Sequence, residues 1–209
     1  MKVLAVDTTS EFGSIALVDD GALLEEVAIH SPEGFAHVIF QEIEALLARY
    51  HVKITEVDCF AAASGPGSFT GVRVGLTVVK GLAEACGRKV LAVSNLRALA
   101  WFGSSALRAV VRDARRGEVY GAVYDASLQI VQDEVVMKLD AWLARLPAGV
   151  QILAQDLALD QPHTQAPREL AGAIGGIAAR EFEQAVDPAE ADANYVRRSD
   201  AEMLWKDAG

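Results

Sequence analysis

Apolar and polar positions alternate in blocks that read as alternating strands and helices. Val3 to Val6 is a short, wholly apolar run that ends at Asp7-Thr8-Thr9, the pattern of a buried strand followed by a polar turn. Gly13 to Val18 predicts a second strand, Asp19-Asp20-Gly21 a hairpin turn, and Leu23 to Ile29 a third strand. Ser31-Pro32-Glu33-Gly34 predicts a helix start, and Phe35, Val38, Ile39, Ile43, Leu46, Leu47 and Tyr50 then fall on one helical face. Val57 to Ala63 predicts another buried strand, ending in Ser64-Gly65-Pro66-Gly67-Ser68. A second helix is expected from about Phe69 to Ala85, stopped by Gly87. Val90 to Val93 predicts a strand, and Ser94 caps a helix that ends near Gly103.

The second half repeats the scheme. Ala109 to Asp113, Glu118 to Tyr124 and Leu128 to Met137 predict another antiparallel meander. Leu139 to Leu146 reads as helix, Val150 to Ala154 as strand, and Pro167 to Ala185 as a long helix carrying Leu170, Ile174, Ile177 and Phe182. Ser199-Asp200-Ala201-Glu202 is a capping box for a short terminal helix. The first strand of each half ends in an aspartate, Asp7 and Asp113, 106 positions apart in a chain of 209. The expected architecture is therefore α/β, with two related lobes, 1–103 and 104–209, facing each other across a cleft. The terminal helix is a candidate to pack back on the first lobe.

Composition narrows the function classes. Hydrophobic residues make up 52% and charged residues 23%, an ordinary globular mixture rather than a disordered one. The net charge of −10 argues against gripping a nucleic-acid backbone alone, because that affinity comes mainly from Lys and Arg. Cys59 and Cys86 form no CxxC and read as buried reduced thiols of a cytoplasmic protein. The apolar start is too short for a signal peptide, and no run approaches the ~18 apolar residues of a membrane span.

Candidate chemistry is sparse. Asp7-Thr8-Thr9 suits a phosphate or a hydrated divalent metal, and equally a turn whose side chains satisfy its own backbone. Gly65-Pro66-Gly67-Ser68-Phe69-Thr70-Gly71-Val72-Arg73-Val74-Gly75 is neither a GxGxxG nor a P-loop. Its Gly67, Gly71 and Gly75 recur every fourth residue, a smooth ridge for close approach of a helix, either this chain's own first helix or a partner's. His30, His37, His51 and His163 make no HxxxH or HExxH, and no GxSxG elbow is present. Asp113-Ala114-Arg115-Arg116-Gly117-Glu118-Val119-Tyr120 suits an anion or an acidic partner, or a solvated hairpin tip. Asn194 to Ser199 is similar in kind.

These segments in order, from Val3-Leu4-Ala5-Val6-Asp7-Thr8-Thr9 through the Gly65–Gly75 stretch and Asp113–Tyr120 to Tyr195-Val196-Arg197, resemble the TsaB family, also called YeaZ. The resemblance implies an actin-like (ASKHA) fold of two lobes, each a mixed sheet flanked by helices. It implies a part in forming threonylcarbamoyladenosine next to the anticodon of tRNAs that read ANN codons. In that pathway the chemistry belongs to a paralogue, TsaD, whose first helices carry a metal-binding HxxxH pair. This chain has only His37 in the comparable helix. The implied role is a non-catalytic assembly partner of TsaD, working with the ATPase TsaE and meeting tRNA only through the complex. No intrinsic cofactor is implied, and ATP or ADP would bind only in the complex. Relatives also form homodimers through the same helices. The expected partner face comprises Phe35, Val38, Ile39, Gly71, Val74, Gly75, Val78, Val79 and Leu82, and Asp7, Thr8 and Thr9 are a degenerate nucleotide turn. Two other readings stand beside this one. The first is a small ASKHA ATPase or phosphotransferase that uses Asp7-Thr8-Thr9. The second, a metallopeptidase, is disfavoured by the missing His pair.

Overall fold

The computed structural model describes residues 1–196. Strands β1 (Lys2–Asp7), β2 (Phe12–Asp19) and β3 (Ala22–His30) form the expected antiparallel meander. Strand β4 (Cys59–Gly65) runs parallel to β1, and β5 (Lys89–Ser94) runs parallel to β4, giving a five-stranded sheet in the order β3-β2-β1-β4-β5. The second sheet holds β6 (Leu107–Asp113), β7 (Glu118–Asp125), β8 (Ile130–Lys138), β9 (Gln151–Gln155) and β10 (Thr164–Gln165), in the order β10-β9-β6-β7-β8. With β6 in the place of β1, the two sheets have the same order and the same mixture of parallel and antiparallel pairs. The duplication hinted at by Asp7 and Asp113 is thus present in the topology, and each aspartate ends the central strand of its sheet.

Period-two alternation along β1 sends Leu4 and Val6 to one face of the first sheet and Val3 and Ala5 to the other. Helices α1 (Ile39–Arg49) and α2 (Phe69–Cys86) cover the Leu4/Val6 face, burying Ile39, Ile43, Leu46, Val72, Leu76 and Val79. The Val3/Ala5 face packs on α3 (Asn95–Ala100) and α5 (Ala171–Arg180), in one core that also takes Val110, Ala122 and Leu153 of the second sheet. A third core lies on the far face of the second sheet, where Trp142 of α4 (Leu139–Leu143) packs over Gly121.

Several expectations are corrected. The first helix begins at Ile39 rather than near Phe35, because Gly34 takes φ +92° and Phe35 turns inward onto Gly13 instead of joining the helical stripe. The long C-terminal helix shrinks to the ten residues of α5. Its start is fixed by long-range caps: Ser14 Oγ accepts from Leu170 N at 3.2 Å and Ala171 N at 3.0 Å, and Glu26 Oε1 accepts from Gly172 N at 2.9 Å. Placing all of 104–209 in the second lobe is also corrected, since α5 lies on the first sheet, with Gly175 against Val18 and Ala5. The predicted terminal helix at 199–202 lies outside the described residues.

Glycines in α2 split by environment. A Cβ at Gly71 would overlap the Thr8 carbonyl oxygen, whereas one at Gly81 would meet nothing. Gly71→Ala should therefore destabilise the chain by about 3 kcal/mol, while Gly81→Ala should stabilise it by about 0.5–1 kcal/mol. Urea unfolding of the two variants checks the opposite signs.

Candidate functional site

The turn after β1 and the start of α2 are built against each other. Ser68 caps α2, its Oγ accepting from Gly71 N at 3.2 Å, and its own N–H donates to Thr9 O at 2.7 Å. Thr8 Oγ1 donates to Gly71 O at 2.7 Å. A Cβ at Gly67 would come within 2.6 Å of Thr9 Cβ, and one at Gly75 within 2.7 Å of Thr8 Oγ1. The Gly67-Gly71-Gly75 ridge therefore receives neither α1 nor a partner helix. It receives the Thr8-Thr9 turn.

The polar side chains of this turn are consumed internally. Asp7 Oδ1 accepts from Thr9 N at 2.9 Å and Thr9 Oγ1 at 2.7 Å. Asn95, wholly buried, donates from Nδ2 to Thr9 Oγ1 at 2.8 Å and to Asp7 Oδ2 at 3.3 Å, and its Oδ1 accepts from Gly65 N at 3.0 Å. Burial raises the Asp7 carboxyl above its ordinary value of 3.8, opposed by the Thr9 bonds, the Arg112 charge and Asn95. The side chains of Asp7, Thr8 and Thr9 thus bond to groups of the turn itself and of the start of α2.

Beside the turn, a cleft of about 750 Å³ separates the lobes. Its lining includes Ser10, Phe12, Ser68, Thr70 and Tyr120, three arginines (Arg112, Arg115, Arg168) and four carboxylates (Glu11, Glu33, Asp113, Asp156). Arg168 Nε donates to Asp156 Oδ1 at 2.7 Å, and Arg115 lies 4.0 Å from Asp113. Arg112 Nη1 donates to Pro66 O at 3.1 Å; burial lowers its pKa and the Asp7 carboxylate opposes that. Of the three arginines, then, Arg168 is paired with an acid, Arg115 lies beside one and Arg112 bonds a backbone carbonyl, while the Thr8 and Thr9 hydroxyls are engaged within the protein.

The outer face of α1 and α2 differs. Phe40 is 57% exposed and Phe69 41%. Thr77, Gly81 and Ala85, each exposed and four residues apart, form a small-residue stripe on α2. Of the expected partner face, Val38, Val74 and Leu82 are half-buried near this surface. Phe35, Ile39, Gly71, Gly75, Val78 and Val79 are buried in the chain's own core or against Thr8, and are corrected as surface residues. Phe40 falls off the apolar period of α1 and Arg73 reads as an ordinary solvated charge, so neither stands out in the sequence. His37 and His51 are exposed, and His30 stacks on Phe12 at 4.5 Å.

A family model described as tRNA N6-adenosine threonylcarbamoyltransferase (TsaD) matches residues 30–201. The Bacillus subtilis protein named tRNA threonylcarbamoyladenosine biosynthesis protein TsaB is 30% identical over 98% of each chain. The chain belongs to the TsaB (YeaZ) family. The Escherichia coli protein of the same name is 35% identical over 59% of this chain, a match that spans 55% of that relative's length. The solved structure of YeaZ from Pseudomonas aeruginosa superposes with a TM-score of 0.78 at 27% identity, covering 93% of this chain and 99% of that one. The TsaB-type fold here has two sheets of matching order, as the resemblance implied. No helix among the described residues is long and apolar enough to cross a membrane.

A raised carboxyl pKa has a defined sign in stability. Folded Asp7 keeps its proton to higher pH than the unfolded chain, so its contribution favours folding in acid and is lost as pH rises from the ordinary value of 3.8 through the raised one. Asp7→Asn removes that dependence. The unfolding free energy of the parent minus that of Asp7→Asn should fall with rising pH across the acid range, measured by urea unfolding; a difference that grows with pH contradicts the assignment.

Proposed function

We propose that this chain is a non-catalytic assembly partner of the TsaD transferase in forming threonylcarbamoyladenosine next to the anticodon of tRNAs that read ANN codons. The observation that carries this reading is the contrast between its two surfaces. In the cleft, the Thr8 and Thr9 hydroxyls are already bonded within the protein. On α1 and α2, aromatic side chains and a small-residue stripe lie exposed to a partner. Small residues let helix backbones approach closely, and exposed aromatics supply the anchors common at interface centres.

On this reading TsaD docks on the outer face of α1 and α2, and a second copy of the chain uses the same face in a homodimer. TsaE and tRNA join through the complex, in the cytoplasm. Any ATP or ADP belongs to the assembled complex, since the charge arrangement of the isolated cleft is self-neutralising. The net charge of −10 supports leaving the tRNA grip to the other components.

Titration calorimetry against purified TsaD from the same organism tests the reading. Gly81→Arg places a long side chain on the stripe at a position where a Cβ meets nothing, and it replaces a weak helix former. It should abolish the binding heat while leaving the melting temperature equal or higher. Wild-type binding undiminished in this variant, or no binding by the wild type, overturns the docking face or the assembly role respectively.

A further inference from the structure

At the N-terminal end of α2, three exposed side chains hold one another in place. The Arg73 guanidinium lies over the Phe69 ring, its carbon 3.7 Å from the ring centroid, and its Nε donates to Tyr195 Oη at 3.2 Å. Phe69 and Tyr195 contact each other with ring centroids 5.3 Å apart, yet they remain 41% and 45% exposed. Tyr195 is held in turn by its neighbour Asn194, whose N–H donates to Ser64 O at 2.7 Å and whose Nδ2 donates to Glu134 Oε2 at 2.6 Å.

A surface arginine normally samples many rotamers, and ordering it on binding costs free energy. Here the ring fixes the plane of the guanidinium and the tyrosine fixes its rotation. Both Nη atoms are without a hydrogen-bond partner among the described residues. The result is a flat, charged fork, rimmed by two aromatics, on the same helix as the Thr77-Gly81-Ala85 stripe.

We propose that Arg73 is a preorganised docking fork that receives a carboxylate of the protein partner, with Phe69 and Tyr195 as the apolar rim that excludes water around the pair. This inference rests on the assembly-partner reading. A fork of this geometry matches a carboxylate through two parallel N–H bonds, which a lysine ammonium cannot reproduce. The net charge of −10 on the chain disfavours an extended phosphate backbone and leaves an acidic side chain on a folded partner as the group for the fork.

The test is binding of the full chain to purified TsaD, with Arg73→Gln, Arg73→Lys and Tyr195→Phe compared by titration calorimetry and each fold checked by thermal melting. Arg73→Gln should weaken binding about tenfold or more. Arg73→Lys should lose nearly as much, although it keeps the charge. Tyr195→Phe should lose about threefold, because only the bond that orients the fork is removed. Wild-type binding that is unchanged in Arg73→Gln overturns the fork and leaves the assembly role standing, and so does Arg73→Lys matching the wild type. No wild-type binding overturns both. If the chain alone retains tRNA and Arg73→Gln releases it, the fork is a phosphate contact and the proposal is overturned.

Discussion

The backbone of α2 lies directly on the Thr8-Thr9 turn, with no room for a Cβ between them at Gly71. Glycines at 67, 71 and 75 permit this contact, and Thr8 Oγ1 seals it with a bond to Gly71 O at 2.7 Å. The approach sets the height of α2 over the first sheet and thereby the packing of Val72, Leu76 and Val79 on Leu4, Val6 and Phe60. It also decides the chemistry. A turn pressed this closely against a helix has its hydroxyls bonded within the protein, Thr8 to Gly71 O and Thr9 to Asp7.

A buried polar knot joins that turn to the interlobe core. Asn95 lies at the start of α3, which packs between the sheets, and it ties the ends of β1 and β4 through Asp7, Thr9 and Gly65. Each buried polar atom there has a partner, the condition under which such a network specifies one arrangement instead of costing stability. A second tie crosses between the lobes. The Glu134 carboxylate on β8 accepts from Ser94 Oγ, from Tyr124 Oη at 2.5 Å and from Asn194 Nδ2 at 2.6 Å. Burial and the neighbouring carboxylate push the Tyr124 phenol well above its ordinary range, so it remains a donor. Through Asn194 the second lobe helps to position Tyr195, and hence the surface beside α2.

Strand positions were legible because apolar runs bounded by Asp-Gly or polar turns leave few alternatives, and both meanders formed as the pattern implied. Ends of helices were not. Phe35 has the right spacing for α1 but packs on Gly13, and α5 starts where Ser14 and Glu26, more than 140 positions earlier, cap it. The facing of the α2 glycines was also hidden. Spacing by four describes the Gly71-Gly75 ridge and the Thr77-Gly81-Ala85 stripe equally well, and at about 100° per residue Gly81 lies about 120° around the helix from Gly75. Only the position of Thr8 tells the inner ridge from the outer stripe. Asn95 left no signal at all, since its role depends on three segments distant in sequence.

The proposed role places the action of this chain on the outer face of α1 and α2 and not in its cleft. Reconstituted threonylcarbamoyl transfer to tRNA tests it most directly, with Asp113→Asn as the cleft variant. Asp113 ends β6 as Asp7 ends β1, it lines the cleft, and it is exposed. The complex containing Asp113→Asn should transfer at the parental rate. A complex that assembles normally with this variant but has lost transfer would place chemistry in the cleft and overturn the proposed role.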